Sequence, residues 1–143
     1  MKYRSRFEGT VAAMLSKTGV TWDYEKLAVK YDDVLRGSSC TACGGTDIVK
    51  SRVYTPDFVI YTSPSKQEIR LILEVKGRFL GSDRTKILSV LATPRNCITR
   101  ENFRIVFMYD NWLTNRKKVR YSGWCERNEI MYSVGKLGTG WFK

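Results

Sequence analysis

The chain has 143 residues, of which 25 are Lys or Arg and 14 are Asp or Glu, so its formal net charge is +11. A hydrophobic share of 43% beside 27% charged residues is typical of one folded domain and argues against a disordered chain. The sequence contains no histidine, which excludes histidine-based triads and histidine metal sites. The basic excess favours a polyanionic partner, most often nucleic acid.

Apolar runs in the chain are short. None approaches the roughly 18 residues needed to cross a bilayer, and the one after the basic N-terminus is too short for the core of a signal peptide. We therefore expect no membrane partner, a cytoplasmic location and reduced thiols.

The N-terminal third predicts a helix followed by extended structure. Apolar residues recur at helical spacing over residues 5–18, and Gly19 can end that helix. Residues 22–31 favour a strand with an irregularity near Glu25. Residues 34–51 form a Gly-, Ser- and Cys-rich insertion, which we interpret as a bridge or knuckle within a single domain spanning residues 1–143.

Two predicted strands follow, at residues 53–61 and 69–76. In the second, one face is wholly apolar and the other carries Glu74 and Lys76, which leave the strand together, roughly 7 Å apart. Asp57 follows Pro56, a residue tolerated at the beginning of a strand. If the two strands pair antiparallel, Asp57 and Glu74 converge.

The rest of the chain predicts alternating helices and strands. Ser82 is a candidate N-cap with Asp83 in the first turn, and Pro94 marks the end of that helix. The remaining predicted elements are a strand at 103–109, a short helix at 121–128 and a strand at 129–132. This order indicates an α/β domain with a mixed central sheet flanked by helices.

Two carboxylates beside an ammonium suit magnesium-dependent phosphate chemistry. Oxygen ligands from Asp57 and Glu74 are those that Mg²⁺ or Mn²⁺ prefers, and Lys76 can orient or deprotonate a water or offset growing phosphate charge. Glu8, on the N-terminal helix, could serve a second cation about 4 Å from the first. The alternative is an ion pair between Glu74 and Lys76 on a solvated sheet face.

The pattern of Pro56-Asp57 with Glu74-Val75-Lys76 resembles the PD-(D/E)xK nuclease signature. Several further segments, in the same order, are similar to the bacteriophage endonuclease I family of Holliday-junction resolvases. They are residues 5–8, 24–25, 54–58, 74–77, 82–84, 104–107 and 123–126.

This resemblance implies a site and an assembly. Asp57, Glu74 and the backbone carbonyl of Val75 would hold one divalent cation, Glu8 would assist a second, and Lys76 would position the attacking water. It also implies a PD-(D/E)xK-like fold, a strand-exchanged homodimer that combines Glu8 of one chain with the other three groups of its partner, and paired nicking of branched DNA without a small-molecule cofactor.

The insertion departs from that family. Cys40 and Cys43 resemble half of a zinc knuckle, for which the remaining ligands would be Cys97 and Cys125 or the same cysteine pair of a second chain. A loop with two reduced thiols is the alternative. The added length also puts strand exchange in doubt, because a longer linker lets each chain close on itself.

Basic residues that flank the proposed site are candidate phosphate contacts. They are Arg4, Arg6, Arg78, Arg84 and Lys86. A second basic cluster at residues 116–120 is either a solvated loop or a DNA contact. For Trp112, Trp124 and Trp141 we favour core packing over base stacking.

Two other functions fit parts of the sequence. One is a non-catalytic DNA-binding module organised by a zinc knuckle, and the other is a sequence-specific restriction-type nuclease with the same site. A dependence on magnesium would distinguish a junction-resolving nuclease from the zinc-knuckle binding module. A preference for branched over linear DNA would distinguish it from the restriction-type nuclease.

Overall fold

A computed structural model of the protein describes residues 2–35 and 48–142, which contain three helices and seven strands. In chain order they are α1 (Arg6–Thr18), β1 (Thr21–Tyr24), β2 (Val29–Leu35), β3 (Ile48–Tyr54), β4 (Phe58–Tyr61), β5 (Ile69–Lys76), α2 (Gly81–Ala92), β6 (Phe103–Phe107), α3 (Tyr121–Arg127) and β7 (Met131–Val134). None of these helices has the length and apolar character required to span a bilayer.

A mixed sheet organises the described residues. Its strand order is β1-β4-β5-β6-β7. The pairs β1–β4 and β4–β5 are antiparallel, whereas β5–β6 and β6–β7 are parallel. Strands β2 and β3 form a separate antiparallel ribbon that packs against α2. The predicted α/β class, with a mixed sheet flanked by helices, is confirmed.

Two stretches that the sequence predicted as single strands are each two strands. Residues 22–31 divide into β1 and β2 at Glu25, whose φ of 50° lies in the left-handed region. Residues 53–61 divide into β3 and β4, which belong to different sheets. Pro56 lies in that break, where its missing N–H and its restriction of the preceding residue interrupt strand pairing.

Glu74 on the charged face of β5 is buried and Lys76 is half-buried, so the alternative of a solvated sheet face does not hold. Leu73 packs in a core cluster with Val11 and Leu15 of α1. On the other face, Ile72 packs in a second cluster with Ile87 of α2, and both are buried. Because β5 lies at the centre of the sheet, helices and loops cover both of its faces.

Helix α2 begins earlier than predicted. Its N-cap is Leu80 rather than Ser82, and the carboxylate of Asp83 accepts a hydrogen bond from the Leu80 N–H at 2.9 Å. The predicted N-cap was wrong because a carboxylate at the third residue of a helix can accept a hydrogen bond from the N–H of the N-cap residue, so no hydroxyl is needed at the N-cap. The helix ends before Pro94, as expected.

The central position of Leu73 yields a stability prediction. Leu73→Ala leaves a cavity between α1 and the sheet and is expected to lower the free energy of unfolding by about 2–5 kcal/mol. Val49→Ala, at a side chain that is 59% exposed on the ribbon, is the matched control and should cost less than about 0.5 kcal/mol. Urea unfolding measures both, and equal losses would contradict the packing described.

Candidate active site

The four residues proposed from the sequence line one cleft. A cavity of about 470 Å³ lies beside the start of β4 and the end of β5, and its walls include Glu8, Asp57, Glu74 and Lys76. Val75, whose backbone carbonyl is the fourth predicted metal ligand beside Glu8, Asp57 and Glu74, also lines it. All five belong to the same chain, so the described residues bring these groups together without a second copy.

Strand register explains how Asp57 and Glu74 converge. Phe58 pairs with Leu73 in the antiparallel β4–β5 ladder, so Asp57 and Glu74, the next residues outward, face each other across the ladder. Asp57 Oδ2 accepts a hydrogen bond from the Val75 N–H at 2.7 Å. The side chains are nearly dry, since Asp57 is 7% and Glu74 5% exposed. The antiparallel pairing expected from the sequence is confirmed.

Glu8 is fixed by the start of α1. The Ser5 hydroxyl accepts from the Glu8 N–H at 3.1 Å, and Glu8 Oε2 accepts from the Ser5 N–H at 2.9 Å. This reciprocal capping box holds the carboxylate in the first helical turn, on the buried side that faces the sheet. Glu8 therefore both caps its helix and contributes an acidic group to the cleft.

A third acidic residue joins Glu8 and Asp57. One carboxylate oxygen each of Glu8, Glu25 and Asp57 lies within 4.8 Å of the other two. The Glu25 N–H donates to the Asp57 carbonyl at 2.9 Å, and Arg4 forms an ion pair with the Glu25 carboxylate at 2.7 Å. Sequence reasoning noted the irregularity at Glu25 but did not place its side chain in the site.

Glu74 and Lys76 belong to a buried polar network. Glu74 Oε1 lies 3.3 Å from Lys76 Nζ, and Lys76 Nζ lies 3.1 Å from Asp83 Oδ1. The Tyr54 hydroxyl donates to Glu74 Oε2. Tyr54 and Asp83 were not predicted as site residues; Asp83 was interpreted only as a helix-start residue. The ion pair between Glu74 and Lys76 exists, but it is not on a solvated face.

Burial and like charge raise the pKa of both central carboxyls. Desolvation and the neighbouring Glu74 raise the pKa of Asp57 from 3.8 to about 9, although the Val75 N–H acts in the opposite direction. Desolvation also raises the pKa of Glu74, against the opposing effects of Lys76 and Tyr54. Burial alone would lower the pKa of Lys76, but the carboxylates of Glu74 and Asp83 outweigh it and raise that pKa.

This electrostatic arrangement fits a divalent cation. Several carboxylates converge in a nearly dry cleft, where their mutual repulsion favours a proton or a cation among them. All the donors are hard oxygens, which suit Mg²⁺ or Mn²⁺ better than a soft metal. The residues present therefore fit a divalent cation bound by oxygen ligands.

A comparison with protein families gives one match over the whole chain. The family described as phage endonuclease I matches residues 1–143 of the chain. The chain belongs to the phage endonuclease I family. A comparison with curated proteins gave no match. Family membership makes the chain a nuclease, and its expected substrate is DNA.

Three of the five candidate DNA contacts of this endonuclease line the cleft. They are Arg4, Arg78 and Lys86. Arg84 instead donates to the Phe79 carbonyl at 2.7 Å and lies over the Phe79 ring. Arg6 is exposed on α1, and the cleft wall does not include it.

The outlying basic cluster and the tryptophans lie away from the cleft walls. Residues 116–118 are exposed, and Arg120 stacks over the Trp112 ring at 4.2 Å. Trp141 is buried in the α1-side core, and Trp124 packs against the cluster that contains Phe79. The expectation of core packing thus holds for Trp124 and Trp141, whereas Trp112 is half-buried under an arginine.

The predicted zinc ligands divide between described and undescribed residues. Cys40 and Cys43 lie outside the described ranges. Cys97 is exposed, whereas Cys125 is fully buried, and desolvation raises the pKa of its thiol to about 12. Cys125 packs in the core cluster that contains Phe79 and Phe107, so it is better explained as a core residue.

The raised carboxyl pKa values predict how the metal-free protein responds to pH. A carboxyl with a higher pKa in the folded chain keeps its proton after the unfolded chain has lost it. Folding stability therefore falls as the pH rises from about 3.8 towards about 9. Asp57 alone contributes a slope of up to about 1.4 kcal/mol per pH unit.

Asp57→Asn removes this ionisation, so its stability should fall less steeply with pH than that of the wild type. Urea unfolding in chelator at several pH values measures the slopes. Asp32→Asn, at an exposed residue of the ribbon, is the control and should leave the slope unchanged. Equal slopes for wild type and Asp57→Asn would contradict the burial of this group.

Proposed function

We propose that this chain is a divalent-metal-dependent endonuclease that resolves four-way and other branched DNA junctions by paired phosphodiester hydrolysis. The observation that supports this most directly is the single cleft lined by Glu8, Asp57, Glu74 and Lys76 in a member of the phage endonuclease I family. Junctions are recognised by their shape in this proposal, because the cleft contacts would be to phosphates, which carry no direct sequence information.

Carboxylates hold the cations in this proposal. Asp57 and Glu74, with the Val75 carbonyl, would bind one Mg²⁺ or Mn²⁺, and the oxygen cluster of Glu8, Glu25 and Asp57 supports a second binding position. A bound divalent cation supplies Lewis-acid stabilisation of phosphate charge and lowers the pKa of water. The protein's contribution is to fix these oxygens in a dry, shaped cleft.

Lys76 provides positive charge at the reacting phosphate. Its ammonium has three N–H donors, and two of them can point at the carboxylates of Glu74 and Asp83, with which Lys76 forms ion pairs. The remaining donor can orient a water or a phosphate oxygen. The Lys76 side chain is anchored from two sides, so it is held in place before substrate arrives.

Paired cutting requires two clefts, and we infer a homodimer for that reason. Glu8 precedes residues 36–47 and the other three groups follow them, so exchange of the N-terminal segment between chains would exchange Glu8 between sites. The described part of the structure has Glu8 and Asp57 of one chain together. Strand exchange therefore stays a prediction, and a homodimer whose two clefts are each built by one chain satisfies the same requirement for two cuts.

The mechanism predicts separate losses of cutting and of binding. The wild-type protein should cleave a four-way junction with Mg²⁺ or Mn²⁺ and not in chelator. Glu74→Gln removes a ligand charge while keeping the side-chain shape, so junction cleavage should fall by at least about 100-fold while junction binding remains. Gel-shift and cleavage assays on the same labelled junction measure both, and Lys76→Ala should show the same separation.

Other outcomes of these assays identify the competing functions. Equal cleavage of linear duplex and junction, at a fixed sequence, would indicate a restriction-type nuclease instead. Binding that survives without magnesium, is lost on zinc removal and is never followed by cutting would indicate a zinc-dependent binding module. Normal cutting by Glu74→Gln would remove the proposed mechanism.

The positions of the basic residues predict their separate effects on DNA affinity. Arg78 and Lys86 line the cleft, so replacing either with Ala should weaken junction binding and reduce the slope of log K against log salt by roughly 0.9 per lost phosphate contact. Binding by the Glu74→Gln protein at several salt concentrations measures the slope without cleavage.

Arg84→Ala is the matched control for these two changes. Its guanidinium bonds to the Phe79 carbonyl, so the substitution should lower thermal stability and leave the salt slope nearly unchanged. A slope change as large as that of Arg78→Ala would show that Arg84 contacts phosphate, and unchanged slopes for Arg78→Ala and Lys86→Ala would place the DNA elsewhere.

A further inference from the structure

Tyr54 reaches the candidate site from the second sheet. It is the last residue of β3, its side chain is 3% exposed, and its ring belongs to the core cluster shared with α2. Its hydroxyl donates to Glu74 Oε2, and Lys76 Nζ lies 3.3 Å from the other oxygen, Oε1. Both oxygens of a nearly buried carboxylate are therefore held by side chains of the same chain.

We propose that Tyr54 is a positioning residue that fixes the orientation of the Glu74 carboxylate towards the divalent cation, an inference that rests on the proposed function. The terminal torsion of a glutamate is broad, so a carboxylate without an anchor samples many orientations. A donor on one oxygen restricts that torsion and leaves lone pairs for a cation. Outer-shell hydrogen bonds of this kind orient metal ligands in many sites.

Packing of the Tyr54 ring restricts the positions that its hydroxyl can occupy. Its ring is packed between the ribbon and α2, and Lys86 Nζ lies 5.8 Å from the ring centroid. A phenol is a neutral donor, so it can anchor the carboxylate without neutralising the charge that attracts a cation. A second lysine at this position would compete with the metal.

The segment from Tyr54 to Asp57 then places both carboxylates. Strand β3 ends at Tyr54, Thr55 and Pro56 belong to no strand, and Asp57 lies at a bend directly before β4. Asp57 contributes its own carboxylate to the cleft, and Tyr54 anchors that of Glu74 from the other end of this short connection. One short segment thus sets the relative positions of two ligands that are 17 residues apart in sequence, at 57 and 74.

The test compares two tyrosine-to-phenylalanine changes in the full-length protein. Tyr54→Phe removes the hydroxyl and keeps the ring. Tyr31→Phe makes the same change at another buried tyrosine of the same cluster, on β2. The affinity for Mn²⁺ alone, measured without DNA by electron paramagnetic resonance of free Mn²⁺, should fall about 10- to 100-fold for Tyr54→Phe and stay unchanged for Tyr31→Phe.

A second measurement separates positioning from general loosening of the core. Adding Tyr54→Phe to Glu74→Gln should leave the Mn²⁺ affinity of the single Glu74→Gln protein unchanged, because the anchored carboxylate is already gone. A further loss in the double variant, or a Tyr54→Phe protein with wild-type Mn²⁺ affinity, would overturn the inference. Thermal melting in chelator confirms that each variant is folded.

Failure of the proposed function would look different. A wild-type protein that binds Mn²⁺ and cuts no junction would remove the junction assignment, and the Tyr54 comparison would still decide the inference. A wild-type protein that binds no Mn²⁺ would overturn both.

Discussion

The structure depends on holding Asp57 and Glu74 together in a nearly dry cleft. Two carboxylates buried side by side repel one another and lose their hydration, so neither burial nor proximity is favourable alone. The Val75 N–H, the Tyr54 hydroxyl and the Lys76 ammonium offset part of this cost. A divalent cation would offset the repulsion and the lost hydration that remain. This explains why carboxylate oxygens gather at the edge of an otherwise apolar core.

Each framework element contributes one constraint to that cleft. The β4–β5 register sets Asp57 opposite Glu74, and the capping box of α1 points Glu8 at the sheet. Helix α2 contributes through Asp83, whose carboxylate accepts from the Leu80 N–H near the helix start and pairs with Lys76. Because several of these contacts also stabilise helix ends, the geometry of the candidate active site and the stability of the fold are linked.

The net charge of the whole chain and the charges that line the cleft have different consequences. The whole chain carries a formal charge of +11, which attracts a polyanion over long range. Within the cleft both signs meet, since the acidic residues Glu8, Asp57 and Glu74 line it together with basic ones, which are Arg4, Lys76, Arg78 and Lys86. This arrangement suits a site where phosphate is drawn in by basic side chains and a cation is bound by acidic ones.

The sequence by itself determined the α/β class, the central strand with Glu74 and Lys76 on one face, and the identity of four cleft residues. The class and the shared strand face follow from local rules, namely the two-residue strand repeat and helical periodicity. The four cleft residues follow from the chemistry of carboxylates beside an ammonium together with the resemblance to the phage endonuclease I family. The division of residues 22–31 and 53–61 into separate strands, the N-cap at Leu80, and the roles of Glu25, Tyr54 and Asp83 were decided by tertiary structure. Tyr54 contacts Glu74 across 20 residues of sequence, and the Glu25 N–H donates a hydrogen bond to the Asp57 carbonyl just beyond the paired residues of β1 and β4. These contacts join residues that are distant in sequence, so they depend on which surfaces pack together. A periodic pattern in one segment contains no information about the segment that will pack against it.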